Sequence, residues 1–539
     1  MEEVLASLDL AAKVGQLFCA YLVDPDTDRL LADWRRAGFA PGGVLLLARD
    51  ADKTRSDVDR AQAWSAVPLL VAANLEEGAG VVGDSDDAYA NPLQVAATGD
   101  PEQAHRLGLA CGTRGRELGI NWAFAPVIDL SINAQNPIIR TRTFGRDPQL
   151  VAAMGAAYVE GVQACGVAAT LKHWPGDGVD GRDQHLVTTD NTMDLATWHA
   201  TFGEVYRAGI RAGAMAVMPG HIRLPAVTAR QGAAGPDLPA TLSADLLQHL
   251  LREELGFDGL IVSDNTAMAG FSTVMPREQA LPTAVLAGCD MLLGAIDAVE
   301  DFTVVLRAAE NGDIPLTRVD EAVRRVLTVK AQLGLLGASP TTDFAATPKP
   351  QIDAWKRECA ARAITLVRDR DELLPLSSAR YSDVLVYVVG DEPTFYDRTG
   401  GYAERFTARL AERGLTVTVR AIPGDGRSIR SERELQRRHD LVVYFANVRF
   451  GGNSNDCRMS WSHPQAPEVP RHSDVPTIVV SIADPYHLAE VPSVSTFVNA
   501  YSPTEHTVDA VISALFGDTD FQGASPVDPW AGHADHGAR

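Results

Sequence analysis

Apolar residues in the first 294 positions gather into short dense runs. They are "VGQLFCAYLV" (14–23), "GGVLLLA" (42–48), "PLLVAANLE" (68–76), "NWAFAPVIDL" (121–130), "GVAATLKHW" (166–174), "AMAVMPGHI" (214–222), "GLIVSDNTAM" (259–268) and "CDMLLG" (289–294). Runs this short, with little polar alternation, predict strands buried on both faces. Between them the apolar spacing changes to that of amphipathic helices. The clearest is "SADLLQHLLREELG", where Ser243 can cap the start, Gly256 can end it, and Leu246, Leu247, Leu250, Leu251 and Leu255 recur at helical spacing. Eight strand–helix units in about 300 residues predict a (β/α)8 TIM-type barrel, an α/β fold, over residues 1–336. A doubly wound open sheet is the alternative on pattern alone.

Residues 297–336 read as closing helices, and "GASPTTDFAATPKPQ" (337–351) reads as a linker by its Pro, Thr and Ala content. Five further strand-like runs follow: "DVLVYVV", "LTVTVRA", "DLVVYFA", "PTIVVSI" and "STFVNAY". Helical stretches such as "AERFTARLAERG" separate them. They predict a second α/β domain over 352–525, a three-layer αβα sandwich. Residues 526–539 read as a frayed tail.

Composition leaves this picture in place. Of the 539 residues, 46% are hydrophobic and 22% charged, which is ordinary globular usage. A net charge of −22 reads as solubility and argues against a nucleic-acid or anionic-membrane partner, since both need a basic face. The start, "MEEVLASLDLAAKVGQLF", lacks the basic and apolar regions of a signal peptide, and no apolar run approaches the ~18 residues of a membrane span. Six scattered cysteines with no C-x-x-C pair read as reduced core thiols of a cytoplasmic protein.

The chemistry of such a barrel sits at the C-terminal ends of its strands. Five runs end there in polar groups: "NLEE", "VIDL", "KHWPGDG", "MPGH" and "SDN". Asp264, at the end of "GLIVSD", can serve as a nucleophile, a metal ligand or a helix N-cap. In "KHWPGDGVDGRDQH" (172–185), Asp183 and His185 are one residue apart, so an extended segment points both to one side. A carboxylate beside an imidazole fixes its tautomer and favours its protonated form, which makes a general acid/base. Lys172 and His173 stand at the strand end itself, where a lysine can donate to a sugar hydroxyl or phosphate. A solvated charged loop and a metal site of His173, Asp177, Asp183 and His185 fit the same residues. Arg142 in "RTRTFGRDP" can fork to a substrate oxygen or form a structural salt bridge, and Asn74 and Glu76 end the third run.

Taken together, these residues resemble glycoside hydrolase family 3, in its β-N-acetylhexosaminidase-like branch. "DLAAKVGQLF" looks like the family's start, "APVIDL" with "RTRTFGRDP" like its arginine motif, and "GFDGLIVSDN" like its nucleophile motif. "KHWPGDG" is similar to its Lys-His-Phe-Pro-Gly-His-Gly, "DQH" to the branch's Asp-Ser-His, and "AITLVRDRDELLPL" to the passage into its second domain. The resemblance runs from about residue 7 to about residue 525. It implies that Asp264 forms a covalent glycosyl-enzyme, that His185 is the acid/base with Asp183 as its partner, and that Arg142, Lys172, His173 and Asn74 hold the sugar. A bendable loop would deliver His185 once substrate is bound. The chain departs from the pattern at Asn74, where the family usually has an acid, and at Asp177, where it has histidine. It also lacks a basic residue in "EGAGVVG".

The resemblance implies a retaining exo-acting β-glycosidase, foremost a β-N-acetylglucosaminidase. A phosphorylase of β-N-acetylglucosaminides or β-glucosides, or a β-glucosidase, is the alternative on the same scaffold. A metal-dependent barrel hydrolase is less favoured, and intact Asp264, Asp183 and His185 argue against a non-catalytic sugar-binding protein. No cofactor and no metal are expected. The expected partner is a small-molecule carbohydrate, not nucleic acid or membrane, and a homodimer is allowed. The loop "NVRFGGNSNDCRMSW" (447–461), with Arg449, Arg458 and Trp461, reads equally as a +1 subsite or a surface loop.

Overall fold

Each of the eight apolar runs of the first half supplies one strand. In the computed structural model these are β1 Phe18–Tyr21, β2 Gly43–Leu45, β3 Leu70–Ala73, β4 Trp122–Ala123, β5 Ala168–Trp174, β6 Ala216–Pro219, β7 Leu260–Ile261 and β8 Leu292–Leu293. The structure describes residues 1–534 except 24–25, 231–236, 338–343, 394–399, 425–427, 450–456, 463–464 and 471–474. The strands pair in parallel and in sequence order, and β1 returns to pair with β8. A Val262–Met291 bridge joins β7 to β8 and closes the ring. The cluster formed by Cys19, Leu45, Leu70, Trp122, Ala168, Met218, Leu260 and Leu293 draws a residue from every strand, so it fills the barrel's interior.

Val326, Val329 and Leu333, on or just beyond the helix Leu316–Gln332, join that cluster. On the same helix Lys330 is fully buried, and its Nζ donates to Gln16 Oε1 at 2.7 Å, just before β1. Burial without a countercharge pulls this amine down to about 7. A lysine lowered in the folded state penalises folding fully below that pH, and the penalty fades as pH rises towards the unfolded value of ~10.4. Lys330→Met is therefore expected to raise the denaturant midpoint at pH 6 by the equivalent of roughly 2 kcal/mol, after the loss of the Gln16 partner is set against the relieved burial of charge. The gain should shrink towards pH 10, as measured by unfolding at several pH values.

Contacts divide the described chain into two units. The first holds Met1–Ala88, Ala104–Leu130 and Pro148–Thr347, and the second holds Tyr89–Gln103, Ser131–Asp147 and Pro348–Arg539. Two segments before residue 150, expected within the barrel domain, thus group with the second unit. There Asn91 donates to the Tyr501 carbonyl at 2.5 Å, Gln94 to that of Ala500 at 2.6 Å, and Arg140 pairs with Asp484. Part of the expected linker, 338–343, lies outside the described residues, and a helix already begins at Lys349.

The second unit is built on a six-stranded sheet of β9 Thr365–Asp369, β10 Asp383–Gly390, β11 Thr416–Ile422, β12 Leu441–Asn447, β13 Thr477–Ser481 and β14 Thr496–Asn499. Its order is β9-β14-β13-β12-β10-β11, with β9 antiparallel and the rest parallel. Alternate residues of β10 feed two separate cores: Val384, Val386 and Val388 on one face, Leu385, Tyr387 and Val389 on the other. Helices Tyr402–Glu412 and Glu505–Leu515 pack on the first face, giving the layered α/β sandwich. Residues 526–534, expected as tail, are partly built in: Val527 is buried and Arg368 stacks over the Trp530 ring. The helix expected from Ser243 spans Asp245–Glu254, but its bonds skip to i→i+5, as from Leu255 N–H to the Leu250 carbonyl, so it winds as a π-helix. Gly256 follows it at φ +73°. Among the described residues no helix is long and apolar enough to cross a membrane.

Candidate active site

Strand pairing carries the polar strand ends to one mouth of the barrel. Beyond β4 the chain stays beside β5, through a Val127–Lys172 bridge and the Ile128 N–H to the Lys172 carbonyl at 2.9 Å. That brings Asp129 against His173. The wholly buried Asp129 carboxylate accepts from His173 Nδ1 at 2.8 Å, from the His173 backbone N–H, and from the Asp177 N–H at 2.7 Å. Because a carboxylate only accepts, His173 carries its proton on Nδ1. Lys172, buried alongside, meets Glu76 Oε1 at 2.8 Å and Asn74 Oδ1 at 3.2 Å. The ammonium is thereby held across the mouth from the end of β3.

Beyond β5 the loop folds back on itself. His185 Nδ1 lies 2.7 Å from Asp183 Oδ1, and the same oxygen accepts the His185 backbone N–H at 2.8 Å. Asp183 is buried whereas the His185 side chain is 42% exposed. The dyad therefore fixes Nδ1 as donor and presents Nε2 for proton exchange. After β7, the Asp264 N–H is pinned to the Pro219 carbonyl at 3.0 Å. Asn265 N–H donates to Asp264 Oδ1 at 2.7 Å. Burial would raise this carboxyl, but the charges of His173, His221 and His185, with the Asn265 bond, hold it below the ordinary carboxylate range. His221 is buried behind it, its Nε2 donating to the Asn265 carbonyl at 3.0 Å. Burial pushes this imidazole below its usual value, against the pull of Asp264.

Of the residues expected from the sequence, the first unit thus brings together Lys172 with Asn74, Asp183 with His185, and Asp264 within the field of His173 and His185. Arg142 lies in the segment Ser131–Asp147, which belongs to the second unit. In the 447–461 loop, residues 450–456 lie outside the described residues, and Trp461 packs against the second unit's core. His173, Asp177, Asp183 and His185 do not converge. They face Asp129, Gln184 and each other as separate pairs, and among the described residues no three or more His, Cys, Asp or Glu gather as metal ligands would. Asp129, His221 and Gln184 are the residues that sequence reasoning passed over. The first two were signalled by "VIDL" and "MPGH", polar strand ends without an assigned role.

The mouth of the closed barrel thus carries a carboxylate held ionised and a carboxylate–imidazole pair. The Glycosyl hydrolase family 3 N terminal domain matches residues 42–329, and the chain belongs to that family of glycoside hydrolases. It is 42% identical to a "Beta-N-acetylglucosaminidase/beta-glucosidase" of Cellulomonas fimi, over 98% of this chain and 96% of that one. Among solved structures it is similar to a β-glucoside phosphorylase bound to 2FGlc, with a TM-score of 0.90 and 36% identity over 99% of this chain and 96% of the other. A family 3 β-N-acetylglucosaminidase from Paenibacillus sp. str. FPU-7 follows with a TM-score of 0.83 and 27% identity, covering 97% and 99%.

Proposed function

We propose that the protein is a retaining exo-acting β-glycosidase working on β-linked N-acetylglucosamine or glucose. The observation that carries the reading is the Asp183–His185 pair at 2.7 Å, placed where the imidazole's charge acts on the Asp264 carboxylate. In the first step an Asp264 oxygen attacks the anomeric carbon while the bond to the aglycone oxygen breaks. His185 gives that oxygen its Nε2 proton, and Asp183 supports the imidazolium until then. In the second step neutral His185 takes a proton from water, the water oxygen attacks the anomeric carbon, and Asp264 leaves as carboxylate. Lys172, braced by Glu76 and Asn74, and His173, braced by Asp129, are the groups assigned to the sugar hydroxyls. Arg142 is assigned to the sugar by its motif alone.

A second reading, release to phosphate rather than water, is favoured by the likeness to the β-glucoside phosphorylase. Neutral His185 would repel an incoming phosphate less than the carboxylate that serves as acid/base in most glycosidases. The test is a panel of aryl β-glycosides (GlcNAc, GalNAc, Glc, Xyl) with phosphate varied. Hydrolysis predicts free sugar and a rate indifferent to phosphate. Phosphorolysis predicts sugar 1-phosphate and a rate that rises with phosphate. The N-acetylglucosaminide and the glucoside are expected to turn over best.

A further inference from the structure

Gln184 stands between the two members of the Asp183–His185 pair, yet its side chain turns into the barrel wall. It is wholly buried. Its Nε2 donates to Asp177 Oδ2 at 3.1 Å, and its Oε1 accepts the His221 backbone N–H at 2.9 Å. The orientation of the amide follows from chemistry, since a carboxylate can only accept and an N–H can only donate. Space is cleared on two sides. A Cβ at Gly220 would lie 2.6 Å from Gln184 Oε1, and one at Gly270 would run into the Gln184 carbonyl. Further bonds fasten the same stretch to the loop after β7: Ala269 N–H to the His185 carbonyl at 2.9 Å, and Thr188 Oγ1 to the Gly270 carbonyl at 2.8 Å.

Set beside the motifs that the chain resembles, both ends of the Gln184–Asp177 bond differ: Gln184 stands where Asp-Ser-His has serine, and Asp177 where Pro-Gly-His-Gly has histidine. A serine oxygen, two bonds from its Cα, would end short of both partners. The bond also completes a continuous path. Asp129 holds Asp177 by its N–H, Asp177 holds Gln184, Gln184 holds the His221 backbone, and His221 meets the Asn265 carbonyl next to Asp264. The first three links are buried and the last is partly so, and where a link is buried, losing one partner leaves the other unsatisfied.

We propose that Gln184, latched to Asp177 and His221, is a positioning residue that holds the Asp183–His185 pair at a set place relative to Asp264. The proposal rests on the acid/base reading above. Proton transfer falls steeply with misplacement of the donor, so a loosened latch shows where a proton is needed and not elsewhere. Gln184→Glu sets a carboxylate against Asp177. It is expected to lower kcat/KM on alkyl or other poor-leaving-group β-glycosides by about 100-fold while changing dinitrophenyl glycosides by no more than about 5-fold. Asp177→Asn with Gln184→Glu restores a donor–acceptor pair, because the new amide donates to the new carboxylate, and should return to within about 10-fold of the parent. Gln184→Leu reads the same effect should Gln184→Glu not fold.

Equal losses on both substrate classes, no loss at all, or a double variant no better than Gln184→Glu would overturn the latch. His185→Ala is measured alongside. If it shows the leaving-group dependence and the Gln184 variants do not, only the positioning role falls. If His185→Ala shows none, the acid/base reading falls and the latch with it.

Discussion

Asp264→Ala is expected to abolish turnover on every glycoside, by about four orders of magnitude or more, with the melting temperature close to that of the parent. The reason lies in the protonation state. Neighbouring imidazoles hold this carboxyl below the ordinary range in spite of its burial, so it is anionic throughout the working pH. An anion with little solvent around it is a strong nucleophile and a strong stabiliser of positive charge at the anomeric carbon. Alanine removes both roles and leaves a space beside that carbon. Added azide should then restore part of the rate on activated aryl glycosides and give the α-glycosyl azide, because one displacement inverts where two retain. Near-normal turnover, or azide rescue giving the β product, would remove Asp264 from the role. The anomer is read directly by NMR.

The barrel was legible because its strands are buried on both sides, and that writes continuous apolar runs into the sequence. β9 writes no such run, for the opposite reason. It is the antiparallel edge of its sheet, only partly buried, and "TLVRD" carries charges that a central strand would not. The segments 89–103 and 131–147 escaped because their partners are remote in sequence. Ser131 meets Tyr486, and Asn91 meets Tyr501, contacts that no local pattern encodes. At the site, Asp264, Asp183 and His185 announce themselves by residue type. Asp129 acquires its task only because the chain beyond β4 stays beside β5, and Gln184 only because Gly220 leaves room for its amide and Gly270 for its backbone carbonyl. Residue type marks the groups that react, whereas the groups that hold them are defined by neighbours.

His185→Ala separates proton delivery from bond making. The departing oxygen of an alkyl or sugar aglycone is too basic to leave unprotonated, whereas dinitrophenolate leaves unaided. The variant is therefore expected to lose about 10³-fold in kcat on the former and little in the first step on the latter. Its second step should also slow, because no imidazole remains to take the proton of water. With activated substrates the covalent intermediate then accumulates, and a burst of phenol precedes a slow steady state. Asp183→Asn should follow the same pattern more weakly. The amide can still hold Nδ1–H through its carbonyl oxygen but no longer offsets the imidazolium charge, so its loss too should concentrate on poor leaving groups. Were both variants to lose equally in kcat/KM, which reports the first step, on alkyl and dinitrophenyl glycosides, the dyad would be serving sugar binding, and the proton would have to come from another group at the mouth.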